Sequence, residues 1–281
     1  MSFAWRPVLR SAVLTLAADR VIRRVGLPGG SRRWARVNHQ GHEVTLLEGV
    51  ALVCGSAAAL TSLDPVAAAT ALGTGVTGAL DDLHPDAARK GLTGHLGALA
   101  HGEVSGGALK ILGLTGCGVV AAAADRRDNR RVSAADTTGV LRGFTDLLVR
   151  AGLVAGSANL LNLLDLRPGR ALKVALLVGI PLSAGPAGPG AAAPAGAAVG
   201  SALVLLPRDL RAVSMLGDTG ANAVGALLGL SAARWPPPAG RRCVLAVVAG
   251  LTLVSERVSF TQVIESTPML RELDAWGRRR R

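Results

Sequence analysis

Gly78-Ala79-Leu80-Asp81-Asp82-Leu83-His84-Pro85 closes a long apolar stretch with two adjacent carboxylates. From Gly49 to Leu80 the sole formal charge is Asp64. Neighbouring anions repel, and holding them at a membrane boundary is costly unless a cation or a proton is shared between them. Taken alone, the pair reads equally well as a solvated acidic flank. Asp165 and Asp218 also stand at the edges of apolar stretches. Three such edges converging on one point suit a divalent metal and phosphate chemistry.

Outward from that pair, apolar stretches recur at 8–24, 46–63, 65–80, 106–124, 144–164, 171–186, 190–207, 218–233 and 241–256. A membrane helix needs roughly 20 apolar residues. The longest uncharged run, Val174 to Pro207, is broken by Ser183-Ala-Gly-Pro-Ala-Gly-Pro-Gly190, which cannot continue a helix and divides the run into two spans. The expected fold is therefore all-α, a polytopic membrane protein of about nine transmembrane helices. Residues 1–256 form the membrane domain and 257–281 a basic cytoplasmic tail. Abundant Ala and Gly suit close helix packing in lipid. Arg6 and Arg10 ahead of Ser11–Ala18 imitate a signal peptide, but Asp19, Arg20, Arg23 and Arg24 follow at once, so a retained first helix is expected.

Nine spans place the termini on opposite sides. With the Asp81–Asp82 loop in the cytoplasm, nineteen Lys and Arg fall on the inner side and ten on the outer, Lys110 and Arg150 lying within spans. That bias follows the positive-inside rule. Loop 125–143, with Arg126, Arg127, Arg130, Arg131 and Arg142 on the outer side, runs against it.

The net charge of +12 would point to nucleic acid in a soluble protein. Here the arginines sit between apolar segments, Tyr is absent, and only three Phe occur, so no nucleic-acid partner is expected. Cys54, Cys117 and Cys243 lie in apolar stretches without metal or disulfide spacing and read as small buried hydrophobes. Gly73-Thr-Gly75-Val-Thr-Gly78 matches a dinucleotide fingerprint only as a pattern. It lies inside an apolar span, where small residues serve helix packing. His39-Gln-Gly-His42 lacks the further ligands that zinc requires and reads as a polar loop.

Three further stretches carry candidate chemistry. Lys90 to Lys110 supplies cations and glycines, as phosphate sites do, although a surface connector could have the same composition. Asn159, Asn162 and Asp165 are spaced by three and share one helix face. Polar groups near the end of an apolar helix are functional by default. Gly217-Asp218-Thr219-Gly220-Ala221-Asn222 opens the next span, where Asp218 could hold Mg²⁺ against a phosphate or simply cap the helix.

In this order, GALDD at 78–82, NLLNLLD at 159–165 and MLGDTGAN at 215–222 resemble motifs of the polyprenyl-phosphate N-acetylhexosamine-1-phosphate transferase family, glycosyltransferase family 4. Asn38-x-x-Gly41-x-x-Val44 with Glu48-Gly49 is a weaker echo of its early cytoplasmic loop. The resemblance implies a bacterial inner-membrane enzyme with a cytoplasmic site, with a homodimer left open. Such an enzyme moves a sugar-1-phosphate from a UDP-sugar to polyprenyl phosphate with Mg²⁺, in cell-envelope assembly. Carried over by position, Asp218 binds the metal, Asp81 and Asp82 serve the lipid phosphate or its deprotonation, and Asn162 and Asp165 face the nucleotide. The chain departs from the pattern after Asp165, where Leu166-Arg167-Pro168-Gly169 replaces Gly-x-Asp-Gly, and at Met215, where some members have an aromatic residue. The family's late histidine loop is also missing, as no His follows His101. All these departures fall on the nucleotide side. The rival expectation is a catalytically silent relative that binds polyprenyl phosphate or scaffolds envelope-assembly proteins.

Overall fold

The computed structural model describes residues 4–39, 41–84, 106–125, 137–184, 189–235 and 237–278. Lys90, His95, His101 and the arginines at 126–131 and 279–281 lie outside the described residues. Among those described there are eleven helices: α1 (Trp5–Val25), α2 (Leu47–Leu60), α3 (Pro65–Leu83), α4 (Gly106–Ala124), α5 (Thr137–Leu164), α6 (Arg170–Ala184), α7 (Pro189–Asp209), α8 (Gly217–Ala233), α9 (Pro238–Ser255), α10 (Phe260–Ser266) and α11 (Pro268–Ala275).

Helices α1 to α9 coincide with the nine apolar stretches, with shifted ends. Helix α3 continues through the acidic pair to Leu83, so Asp81 and Asp82 belong to its last turn. Helix α5 begins at Thr137, taking in residues expected in the preceding loop. Helices α6 and α7 end and begin around the Gly/Pro break, at Ala184 and Pro189. Among the described residues, four helices are long and apolar enough to cross a membrane: α4, α5, α7 and α9. The all-α architecture carries one small strand pair. Ala35–Val37 (β1) and Glu43–Thr45 (β2) pair as an antiparallel hairpin. Its turn is closed by Asn38, whose Oδ1 accepts the His42 N–H at 3.0 Å. The Asx-type turn gives the local polar residues a backbone partner outside a helix.

Helix α8 is the centre of the bundle. Every residue from Gly217 to Ala233 is buried except Asp218 and Ala232. Helices α2, α3, α5, α6 and α7 pack against it, α1 lies outside α2 and α7, α4 outside α3 and α5, and α9 against α5. Small residues permit this crowding. A Cβ at Gly78 of α3 would stand 2.2 Å from the Asp218 carbonyl oxygen, and one at Gly229 of α8 would stand 2.3 Å from the Leu153 carbonyl oxygen. Helix α1 is held by hydroxyls: Ser11 Oγ donates to the Ala197 carbonyl at 2.7 Å, and Ser201 lies 2.7 Å from Ser11 and 2.8 Å from Thr15.

Successive helices run in opposite directions. Gly78 meets Asp218 at one end of the bundle, while Asp64, at the start of α3, meets Arg234 at the other. Helices α4, α5 and α9 expose apolar side chains outward, including Leu112, Val120, Phe144, Val247 and Leu251. Cys54 and Cys243 share that outward exposure rather than being buried as expected, because the bundle's outside is itself apolar.

Candidate functional site

The N-terminus of α8 begins with a left-handed residue, Gly217 at φ +61°. Its N–H donates to Asp165 Oδ2 at 2.9 Å. The next two N–H groups, of Asp218 and Thr219, donate to Asp82 Oδ1 and Oδ2 at 3.1 and 2.9 Å, and Thr219 Oγ1 donates to Asp82 Oδ2 at 2.6 Å. The first turn of a helix leaves its N–H groups unpaired and carries partial positive charge. Two carboxylates from other helices satisfy both needs here. Asp218 is not the cap; Asp82, from α3, is. A side chain at Gly217 would meet Asp82 Oδ2 at 2.9 Å, so this position requires glycine for space as well as for its positive φ.

Asp81 and Asp218 converge on Lys110 of α4, whose Nζ lies 3.1 Å from Asp81 Oδ2 and 2.5 Å from Asp218 Oδ2. The shared cation demanded by adjacent anions is therefore present, supplied by the chain itself. Among the described residues no group of three or more His, Cys, Asp or Glu is placed to hold a metal ion. Mg²⁺ is commonly held by one or two carboxylates together with substrate phosphates. Asp218 and Asp81, already drawn onto one positive charge, fit that smaller donor set.

Two cavities flank this turn. One, of about 340 Å³, is lined by Thr77, Leu80, Asp81, His84, Leu109 and Lys110, so that an ion pair stands at one side of largely apolar walls. The other, of about 320 Å³, is lined by residues including Asn38, His39, Asp165, Arg167, Asp209, Ser214 and Met215. The hairpin forms part of its wall and is tied to the segment before α8, since Met215 N–H donates to the Thr45 carbonyl at 3.0 Å. His39 thus lines the same cavity as Asp165 and Asp209. Asn162 is half-buried in the last turn of α5, and its carbonyl accepts the Asp165 N–H at 3.0 Å. Burial, with the charge of Asp209 close by, pushes the Asp165 carboxyl well above the usual carboxylate range, against the pull of the Gly217 N–H.

Further polar neighbours, to which the sequence reading gave no role of their own, lie close by. Glu48 is fully buried in the first turn of α2 and accepts a hydrogen bond from the Ser214 hydroxyl. Asp209, at the end of α7, is buried beside it. Glu48 Oε1, Asp209 Oδ2 and both amide atoms of Asn222, one turn beyond Asp218, have no hydrogen-bond partner among the described residues. A lone glutamate opening an apolar stretch was the available signal for Glu48. Nothing local marks Asp209.

The far end of the bundle holds a second charged cluster. Arg234 pairs with Asp64, donates from Nε to Asp125 Oδ2 at 2.8 Å, and donates from Nη1 to the Gly190 carbonyl at 2.8 Å. Arg150, within α5, reaches Asp125 Oδ2 at 2.8 Å, and Arg241 reaches Asp146 Oδ1 at 3.0 Å. Arg150, inside an apolar span by sequence, is thus a member of an ion-pair cluster. In comparisons with known proteins, no protein-family model matches the chain and no curated protein is similar to it.

Proposed function

We propose that this protein is a membrane transferase that moves a sugar-1-phosphate from a UDP-sugar to polyprenyl phosphate, at the cytoplasmic face of a bacterial inner membrane, in cell-envelope assembly. One observation carries the reading. Three motifs far apart in sequence, ending at Asp81–Asp82, Asp165 and Asp218, meet at the N-terminal turn of one central helix, with a cavity on either side. The reaction joins two anions. A phosphate oxygen of the lipid attacks the phosphorus that carries the sugar, and the bond to UMP breaks, its electron pair leaving with UMP. Screening and positioning are the main contributions a protein can make to such a step.

The residues divide that work. Asp82 fixes the α8 turn, and with it the position of Asp218 relative to Asp81. Lys110 sets a positive charge where the lipid phosphate enters from the apolar cavity, with Asp81 beside it. Asp165 lines the second cavity with Arg167 and His39, which would meet the nucleotide's phosphates, and Asn162 supports Asp165 through its carbonyl. Asp218 and Asp81 would hold Mg²⁺, which when bound neutralises the phosphate oxygens.

A second reading is favoured by Lys110, whose ammonium already occupies the point between Asp81 and Asp218. A silent relative would bind polyprenyl phosphate there without turnover. A radiolabelled-sugar assay in membranes, across several UDP-sugars, decides between them. Labelled lipid and released UMP, both abolished by EDTA, are expected. Lipid-phosphate binding without transfer from any UDP-sugar would leave the silent relative as the function.

A further inference from the structure

The tail after α9 does not hang free. Arg170, the first residue of α6, donates from Nε and Nη2 to the two carboxylate oxygens of Asp274 at 2.8 and 2.9 Å, and from Nη1 to Thr261 Oγ1 at 3.0 Å. Lys173 Nζ donates to the Asp274 carbonyl at 2.7 Å, and Arg278 Nε donates to the Pro168 carbonyl at 2.8 Å. These bonds fix α11 by the face that carries Asp274. Met269 and Leu273, four apart, share a helix face on another side, and Trp276 follows α11 directly as its C-cap residue. They are 72%, 56% and 75% exposed.

We propose that this trio is a membrane-interface anchor: α11 lies in the plane of the bilayer, with Met269, Leu273 and Trp276 seated at the boundary between headgroups and acyl chains. Three observations favour lipid as the occupant. First, the side chains that hold α11 come from the first turn of α6, so α11 lies level with the end of a bundle helix, at headgroup depth. Second, the tail follows α9, a membrane-capable helix that buries little of itself in the bundle and exposes Val247, Leu251 and Leu253 outward. Only residues 256–259 separate α9 from α10. Third, a Trp with Arg close to it in sequence, here Arg271 and the basic run that follows Gly277, suits an anionic leaflet. The inference rests on the membrane reading of α9 but not on any catalytic activity.

The test uses the full chain in nanodiscs of phosphatidylcholine and phosphatidylglycerol. Subtracting the emission of Trp276→Phe from that of the wild type isolates Trp276. That emission should be blue-shifted, should lose most of its intensity in lipids brominated near the acyl carbonyl, and should be shielded from aqueous acrylamide. Met269→Glu with Leu273→Glu should reverse all three effects. Leu251→Trp in α9 is the control. If it is quenched by brominated lipid while Trp276 emits as in water, the anchor is overturned and the membrane reading stands. If neither is quenched, both fall. Shielding of Trp276 that grows with protein-to-lipid ratio and is insensitive to bromination would assign the trio to a second copy and overturn the proposal.

Discussion

At one end of the bundle Asp64, Asp125 and Asp146 meet Arg150, Arg234 and Arg241, charge for charge. At the other end Asp81, Asp82, Asp165 and Asp218 gather around one α8 turn, with Glu48 and Asp209 buried close by; among the described residues Lys110 is in direct contact with Asp81 and Asp218, while the charges of Arg36 and Arg208 act on Asp82 and Glu48 from farther off. Both clusters are buried and both tie helices together. Among the described residues the first is matched charge for charge and is explained by structure. The unbalanced one keeps anions close at a cost that folding alone does not require, which marks it as the place where a cation or a phosphate–cation pair belongs.

That contrast breaks most visibly at Arg234. Arg234→Ala strands Asp64 and Asp125 without their partner, and removing one member of a buried pair costs about 3–5 kcal/mol. Thermal unfolding in detergent should report a large loss, while adding Asp64→Asn should restore part of it. Asp218→Asn should act in the opposite sense: stability is unchanged or raised, because repulsion falls, while Mg²⁺-dependent transfer or lipid-phosphate binding drops by more than about 100-fold, beyond what outer-shell changes at metal sites cause. Equal melting losses for the two variants would erase the distinction between the ends.

Smaller effects sharpen it. Lys110→Met removes the resident cation, so the apparent Mg²⁺ affinity in a metal titration should tighten by about tenfold, or about 1.4 kcal/mol, even as lipid-phosphate binding weakens. Asp82→Asn keeps the shape of the cap but weakens it. A loss of about 1 kcal/mol, the usual scale for a helix cap, is expected in chemical unfolding. The smallest effect concerns the tail. Burial alone would raise the Asp274 carboxyl, but the hydrogen bonds and charges of Arg170 and Arg278 hold it below its ordinary value of 3.8. A depressed carboxylate stabilises docking fully above its undocked pKa and loses that contribution as pH falls through the docked value. Hydrogen-exchange protection of 260–275 should therefore persist at neutral pH and decline only below about pH 4.

The sequence carried the helices well, because their signals are local. The break at 183–190 and the glycines of the Asp218 motif each act within a turn or two of where they stand. Asp81, Asp82, Asp165 and Asp218 were legible for the same reason, as charges at the ends of apolar runs. Their partners were not. Lys110 is 108 positions from Asp218, and Asp82 caps a helix 136 positions away. No periodicity encodes such pairings. The hairpin at 35–45 escaped because each strand is three residues long, too short for alternation to show. The tail's docking depends on Arg170 meeting Asp274, which composition reads only as two more charges.

The glycines along α8 and its neighbours have a mechanical consequence. Where Gly78, Gly49, Gly225 and Gly229 bring backbone against backbone, an added Cβ would lie between 2.0 and 2.3 Å from a carbonyl oxygen of the facing helix. Helix α8 therefore has no slack in which to turn or slide, and its end is a fixed post. Any rearrangement at that end is left to parts not pinned this way, among them the long, jointed side chain of Lys110. A lysine that swings aside to admit another cation, and returns when it leaves, would act as a gate hinged on a post that never moves.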